Sequence, residues 1–125
     1  MPLVLCADDD EDILALVALR LERVGYRVAR ATNGDDALAL ARELKPDVAV
    51  VDVMMPRRSG LDVLRELSAG ADTRELPVVL LSARAQDADV ERGLAAGANA
   101  YLAKPFTARE LIATVEGLLP AQSLR

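Results

Sequence analysis

The sequence contains no histidine and no tryptophan, and aromatic residues make up only 2% of its 125 residues. Without histidine the chain has no His-based catalytic triad, no histidine metal ligand and no phosphohistidine of its own. With so few rings, a flavin or nucleobase stacked between aromatic side chains is not expected. The single cysteine, Cys6, excludes an internal disulfide, fits a reducing compartment and is best interpreted as a small buried residue of a strand.

Long apolar runs and an excess of positive charge are also missing. The net charge is −5 at pH 7, which argues against sequence-independent binding of this chain to nucleic acid phosphates. No apolar stretch approaches the ~20 residues that span a membrane, and no basic region precedes the first apolar run. We therefore expect no signal peptide, no membrane segment and a cytoplasmic location.

The hydrophobic pattern alternates between two periodicities along the chain. Short apolar runs, most of them rich in β-branched residues, predict strands. Stretches with apolar residues three and four positions apart predict amphipathic helices after each run. The fourth of these helices has Val90 and Leu94 as its apolar positions. The predicted strands cover residues 3–7, 26–31, 48–51, 78–81 and 100–103, and capping boxes are predicted for Ser59 with Asp62 and Thr107 with Glu110.

Five strands that alternate strictly with five helices predict an α/β fold. Such alternation requires right-handed crossovers and a single parallel sheet with helices on both faces. A length of 125 residues, of which 52% are hydrophobic and 28% charged, is typical of one globular domain. We expect that domain to cover residues 1–119, with residues 120–125 as a frayed tail or the start of a linker.

Polar side chains follow four of the predicted strands, each directly after its apolar run. Asp8 and Asp9 follow the first strand, Asp52 the third, Ser82 the fourth and Lys104 the fifth. Because parallel strands end at the same edge, these groups should lie together, where open α/β sheets bind ligands. Two carboxylates ~4 Å apart repel by about 4 kcal/mol near a protein surface, and one lysine cannot neutralise three of them. A hard divalent cation such as Mg²⁺ suits the oxygen ligands.

A carboxylate, a divalent cation, a hydroxyl and an ammonium group around one point suggest phosphoryl chemistry. The Asp52 carboxylate, ionised at neutral pH, could attack phosphorus and form an acyl phosphate. Lys104 and the cation would neutralise the phosphoryl oxygens, and the Ser82 hydroxyl could donate to one of them. A single strand-end aspartate is more often a helix cap, and Asp10, like its acidic neighbours, suits the first turn of a helix. Five matching groups at four strand ends favour a site.

Four sequence motifs, in this order, identify a family. They are the acidic pair Asp8-Asp9, DVMMP at 52–56 with Gly60, LLSA at 80–83 and YLAKPF at 101–106. Over nearly its full length the chain resembles the receiver domain of two-component response regulators. The resemblance implies a flavodoxin-like fold with strand order 2-1-3-4-5.

The resemblance also implies a role for each site residue. Asp52 would be the phosphoacceptor, and Asp9, Asp52 and the backbone carbonyl of Met54 would bind Mg²⁺ directly. Asp8 would act through a metal-bound water. The remaining implied features are Lys104 as the partner of the phosphoryl group, Ser82 and Tyr101 as switch residues, and a cis peptide at Lys104–Pro105.

The implied partners are a histidine kinase or phosphotransfer protein and a downstream effector. The effector would bind at the surface of helix 4, strand 5 and helix 5, and the chain would be a monomer or a phosphorylation-dependent dimer, without direct contact to nucleic acid or membrane. Some members of the family dimerise through helix 4, strand 5 and helix 5, and these often have an acidic pair where this chain has Asn99-Ala100. The absence of the acidic pair weakens this mode of dimerisation here. Arg57 and Arg58 lie where smaller residues are common; they are either solvated or attract an anionic phosphodonor.

Two other classes of function remain to be distinguished. Aspartate-nucleophile phosphatases commonly have a second acid two residues after the nucleophile, where this chain has Met54. Arg84, two residues after Ser82, is also a poor base, so we expect slow loss of the acyl phosphate and a signalling switch that promotes only its own phosphorylation and dephosphorylation. A flavodoxin-like cofactor binder is disfavoured because no phosphate-cradling loop is present and aromatics are scarce.

Overall fold

A computed structural model describes residues 1–83 and 87–119 of the chain. Within these residues, five strands alternate with five helices, as predicted. The strands are β1 (Leu3–Ala7), β2 (Arg27–Ala31), β3 (Val48–Asp52), β4 (Val78–Ser82) and β5 (Ala100–Ala103). The helices are α1 (Glu11–Arg23), α2 (Gly34–Leu44), α3 (Gly60–Ala69), α4 (Asp87–Ala95) and α5 (Ala108–Leu118).

All five strands are parallel and lie in the order β2-β1-β3-β4-β5, which confirms the predicted α/β fold and its strand order. The register brings the ends of the central strands level with one another. Ala7 pairs with Val51, and Asp52 pairs with Leu81 on the next strand. The polar residues at or just after the ends of β1, β3, β4 and β5 therefore share one edge of the sheet.

Every residue of β3 and β4 is buried, because helices cover both faces of the sheet. One face packs against α2 and α3, with Leu64 and Leu67 among its buried residues. The other packs against α1 and α5, with Leu21 and Leu111 among them. Burial of each such side chain contributes about 1.5–3 kcal/mol relative to exposure, and it fixes the strand ends that carry the polar residues. No helix in the described ranges has the length and apolar character needed to cross a membrane.

The helix starts follow the predicted capping chemistry, with one refinement. The capping boxes of Ser59 with Asp62 and of Thr107 with Glu110 are both formed. Asp10 lies outside α1, where its carboxylate accepts hydrogen bonds from the N–H groups of Asp12 and Ile13. Asp10 is therefore the N-cap of α1, not a residue of its first turn.

The apolar positions of α4 differ from the prediction. Leu94 is 47% exposed, and Gly93 is buried in its place. A Cβ atom at Gly93 would lie 2.9 Å from Leu80 Cδ1, so α4 approaches the sheet at a residue without a side chain. Val90, the other predicted apolar position, has no described side chain. Arg84 and the predicted tail, residues 120–125, lie outside the described residues.

Candidate functional site

The edge of the sheet formed by the carboxyl ends of the strands gathers the predicted polar residues. Backbone hydrogen bonds hold them at or just past the strand ends. Asp8 N donates to Ala31 O at 3.1 Å, and Lys104 N donates to Ser82 O at 2.8 Å. The sheet thus fixes these side chains before any contact among the side chains themselves.

Lys104 bridges two buried carboxylates at this edge. Its Nζ lies 2.9 Å from Asp8 Oδ2 and 2.9 Å from Asp52 Oδ2. Asp8 is only 2% exposed and Asp52 only 5%. Hydrogen bonds between charged groups are stronger than neutral ones, and their strength rises where water is excluded. The bridge therefore joins the ends of β1, β3 and β5 into one polar cluster.

The cluster carries more negative than positive charge. Burial raises the pKa of the Asp52 carboxyl, the hydrogen bond from Lys104 opposes that rise, and the nearby Asp8 carboxylate adds to it. Burial acts to lower the pKa of Lys104, but its hydrogen bonds to Asp8 and Asp52 more than offset this and leave that pKa raised. Asp52 therefore lacks part of the positive charge that its ionised form needs.

A third carboxylate completes a set of oxygen donors. Oxygen atoms of Asp8, Asp9 and Asp52 all lie within 4.8 Å of one another, and Asp9 is exposed to solvent. Three carboxylates beside one ammonium group leave an excess of negative charge that a divalent cation would neutralise. Hard oxygen donors that are partly open to water suit Mg²⁺, which keeps several waters of its own. The residues present therefore fit the predicted Mg²⁺ site.

The backbone after Asp52 turns sharply and returns to the strand end. Met54 N donates to Asp52 Oδ1 at 3.3 Å. Gly60 N donates to Val53 O at 2.8 Å. A Cβ at Gly60 would overlap the Asp52 carbonyl oxygen and lie 2.9 Å from Val53 Cα, so only glycine allows this approach. Gly60 belongs to the sequence motif, but the motif gives no sign of this close approach.

The remaining predicted residues lie close by. Ser82, at the end of β4, is buried, and Tyr101, in β5, is partly buried. A cavity of about 260 Å³ is lined by both of them and by Met54. The Lys104–Pro105 peptide is cis, as predicted.

The two arginines of the loop between β3 and α3 have different environments. Arg57 is exposed and adopts a left-handed backbone with φ 69°. Arg58 Nε donates to Asp35 Oδ1 at 2.8 Å, and Arg58 Nη1 lies 3.5 Å from Glu66 Oε1. Arg58 is thus engaged in ion pairs with α2 and α3, a role that neither predicted alternative included. Asp35 and Glu66 were not predicted as partners, because no local sequence pattern indicates a pair between a loop residue and residues of two separate helices.

Cys6 has no part in the site. It is buried within β1, and burial raises the pKa of its thiol to about 12. A protonated thiol is neither a nucleophile nor a metal ligand, so the prediction of a small buried hydrophobic residue is confirmed.

Comparison with known protein families gives one match that spans most of the chain. Residues 4–116 match the family model of the response regulator receiver domain. The chain is 43% identical over 119 residues to the transcriptional regulatory protein AfsQ1 of Streptomyces coelicolor, covering 95% of this chain and 52% of that protein. It is 44% identical over 118 residues to the transcriptional regulatory protein PrrA of Mycobacterium tuberculosis, covering 94% of this chain and 50% of PrrA. The chain therefore spans about half the length of these curated relatives.

Solved structures show the same fold. The chemotaxis response regulator CheY4 of Vibrio cholerae superimposes with a TM-score of 0.90 at 31% identity, covering 95% of this chain and 99% of that one. The receiver domain of the Francisella response regulator 1452 gives a TM-score of 0.88 at 36% identity, covering 94% of this chain and 96% of that one.

Proposed function

Because the chain belongs to the response regulator receiver domain family, we propose that Asp52 accepts a phosphoryl group from a histidine kinase or phosphotransfer protein. The observation that carries this proposal is the position of the Lys104 ammonium, 2.9 Å from the buried carboxylates of both Asp8 and Asp52. A cation held beside a buried, nucleophilic carboxylate suits the transfer of an anionic group. The curated relatives are about twice as long as this chain. Any activity that they owe to their other half is not part of what the chain is shown to share with them.

The cation site would be built from Asp9, Asp52 and the Met54 carbonyl as direct ligands, with Asp8 acting through a bound water. When bound, Mg²⁺ would supply positive charge to the phosphoryl oxygens. The crowding of the three carboxylates supports this assignment, because their mutual repulsion is relieved only by added positive charge. The family as a whole binds Mg²⁺ at an acidic pocket. What we propose is which residues of this chain bind the ion.

In the transfer itself, an Asp52 carboxylate oxygen forms a bond to phosphorus, and the bond from phosphorus to the donor's imidazole nitrogen breaks. The electron pair of the broken bond stays on the imidazole. Lys104 Nζ, already beside Asp52, would move its hydrogen bond to a phosphoryl oxygen as charge develops there. No general base is required, because the carboxylate carries no proton when it attacks.

Phosphorylation would be read out as a shift between two packings of the domain. The Ser82 hydroxyl would donate to a phosphoryl oxygen, and Tyr101 would turn into the cavity of about 260 Å³ that both residues line. An effector would then recognise the surface of α4, β5 and α5. The domain would be a monomer or a phosphorylation-dependent dimer, with no direct contact to nucleic acid.

The position of Asn99 bears on the mode of dimerisation. Its side-chain Oδ1 accepts a hydrogen bond from Val78 N at 3.0 Å, at the start of β4. A side chain engaged with the backbone in this way is less available to a partner across an interface. This supports the view that dimerisation through α4, β5 and α5 is weakened in this chain.

Slow hydrolysis of the acyl phosphate follows from the residue two positions after Asp52. Met54 is 70% exposed and has no acid–base chemistry with which to activate water. The domain would therefore store the phosphoryl group and promote only its own phosphorylation and dephosphorylation. A phosphatase with an aspartate nucleophile would need a proton donor near this position.

Incubation with Mg²⁺ and a small acyl-phosphate donor, followed by intact-mass measurement, tests the proposal. We expect the mass of one phosphoryl group to be added to the wild type and none to be added to Asp52→Ala. Addition that persists in Asp52→Ala, or no addition to the folded wild type, would contradict the assignment. Repeated turnover of a small phosphate ester would instead favour the phosphatase.

A further inference from the structure

Residues 54–59, which form the loop between β3 and α3 apart from Val53, carry the Met54 carbonyl but bury little apolar surface. Met54, Pro56 and Arg57 are all exposed. Met55 packs partly against the core. Segments with few buried apolar contacts open easily, so a loop that supplies a metal ligand needs other restraints.

Contacts with α2 supply such restraints. Arg58 Nε donates to Asp35 Oδ1 at 2.8 Å, in the first turn of α2. Gly34 N donates to Pro56 O at 3.4 Å. A Cβ at Gly34 would overlap the backbone of Arg58, so the glycine that begins α2 allows the loop to lie directly against it.

Arg58 also reaches α3. Its Nη1 lies 3.5 Å from Glu66 Oε1, and Glu66 Oε2 lies 3.4 Å from Arg42 Nη2 on α2. The planar guanidinium presents separate N–H groups to two acids on two helices, which one lysine ammonium could not contact in the same way. A guanidinium is charged at every ordinary pH, and the hydrogen bond to Asp35 raises the pKa of Arg58 further.

We propose that Arg58 is a positioning residue for the cation site. Its ion pairs with Asp35 and Glu66 hold the 54–59 loop against α2 and α3, and this keeps the Met54 carbonyl and the Asp52 carboxylate in one arrangement. The inference rests on the proposed function, because it takes Met54 and Asp52 as Mg²⁺ ligands. Arg58 acts through the loop and does not touch the reacting atoms.

Electrostatics alone predicts the opposite effect of removing Arg58. A positive charge near a cation site repels Mg²⁺, so loss of that charge should tighten binding. Positioning predicts weaker binding. Arg57→Met is the matched control, because it removes the same charge from the same loop, and Arg57 makes no ion pair with any residue that the structure describes.

The experiment is isothermal titration of Mg²⁺ into the wild type, Arg58→Met and Arg57→Met. We expect Arg58→Met to raise the Kd for Mg²⁺ by about two- to fivefold. This fold-change corresponds to the free energies measured for exposed ion pairs. Arg57→Met should leave the Kd unchanged or lower it. Arg58→Lys should fall between Arg58→Met and the wild type. The effect of Arg58→Met should shrink at high salt, because salt screens exposed ion pairs.

A double-mutant cycle with Asp35→Asn tests the contact itself. We expect Asp35→Asn to weaken Mg²⁺ binding in the wild type and to have no further effect in Arg58→Met. Effects that multiply independently would overturn the proposal, as would an Arg58→Met protein that binds Mg²⁺ as tightly as Arg57→Met. The proposal would also be overturned if Arg58→Met lowered the free energy of unfolding in EDTA but left the Kd for Mg²⁺ unchanged. By contrast, a wild type that neither binds Mg²⁺ nor accepts a phosphoryl group would contradict the proposed function itself.

Discussion

The close approach of Gly60 to the end of β3 predicts the effect of adding one methyl group. In Gly60→Ala the new Cβ would overlap the Asp52 carbonyl oxygen and lie 2.9 Å from Val53 Cα, whereas ordinary contacts begin at 3.4 Å. The atoms in the way belong to the backbone of a buried strand, so no side chain can move aside. The backbone must shift by about 0.5 Å at Val53, and further at Asp52, the scale at which overpacking destabilises a core.

The expected magnitude combines three effects. Overpacking typically costs about 1–3 kcal/mol, and loss of the Gly60 N to Val53 O hydrogen bond costs about 1 kcal/mol more. Alanine recovers about 0.5–1 kcal/mol of conformational entropy relative to glycine in a helix. We therefore expect Gly60→Ala to lower the free energy of unfolding by about 1–3.5 kcal/mol and to weaken Mg²⁺ binding, because Asp52 is displaced.

The assay is urea unfolding followed by circular dichroism in EDTA, and then Mg²⁺ titration of the folded protein. Gly117→Ala is the matched control, since Gly117 is an exposed residue within α5 and its Cβ would meet nothing within 4 Å. The control should gain about 0.5–1 kcal/mol. A Gly60→Ala protein as stable as Gly117→Ala would refute the reasoning from close approach.

Three further outcomes follow from the charges and burial of the site and from the burial of Cys6. Asp52→Asn should raise the free energy of unfolding in EDTA by on the order of 1 kcal/mol, since it removes one carboxylate from a crowded cluster. In the same urea assay, Mg²⁺ should stabilise the wild type but not Asp52→Asn. Lys104→Met should destabilise the domain by about 3–5 kcal/mol in EDTA, because two buried carboxylates lose their positively charged partner. Mg²⁺ should restore part of the lost stability. An unfolding midpoint equal to that of the wild type would contradict this prediction. The Cys6 thiol should resist alkylation at about pH 8 in the native state and react in denaturing urea. Because its pKa is raised to about 12 in the folded state, Cys6 favours folding below its unfolded pKa of about 8.5, and that contribution should decline as the pH rises towards 12, measured as the difference from Cys6→Ala.

Sequence patterns predicted the features that arise from chain periodicity. Strict alternation of strands and helices requires parallel strands, and parallel strands bring Asp8, Asp52 and Lys104 to one edge. The capping boxes were predictable for a similar reason, because each depends on residues three positions apart. The crowding of three carboxylates at that edge was predictable because aspartates lie at or just after the ends of two of the strands there.

Features that depend on contacts between distant residues were not predictable in this way. Leu94 fits an apolar helix position, yet α4 turns Gly93 to the sheet, because the distance between α4 and β4 is set by tertiary packing. The pairing of Arg58 with Asp35 and Glu66 depends on how close the loop lies to α2. The sequence around Arg58 does not indicate how close the loop lies to α2.

The Lys104 bridge also has a consequence for synthesis of the chain on the ribosome. Lys104 lies 96 residues after Asp8 and 52 after Asp52. β1 to β4 can therefore leave the exit tunnel before the lysine that balances their acids has emerged from it. A nascent chain from which β5 has not yet emerged presents a crowded anionic edge, and this edge gains its internal counter-charge only when β5 joins. The last strand thus both completes the sheet and neutralises part of the charge that its predecessors accumulate.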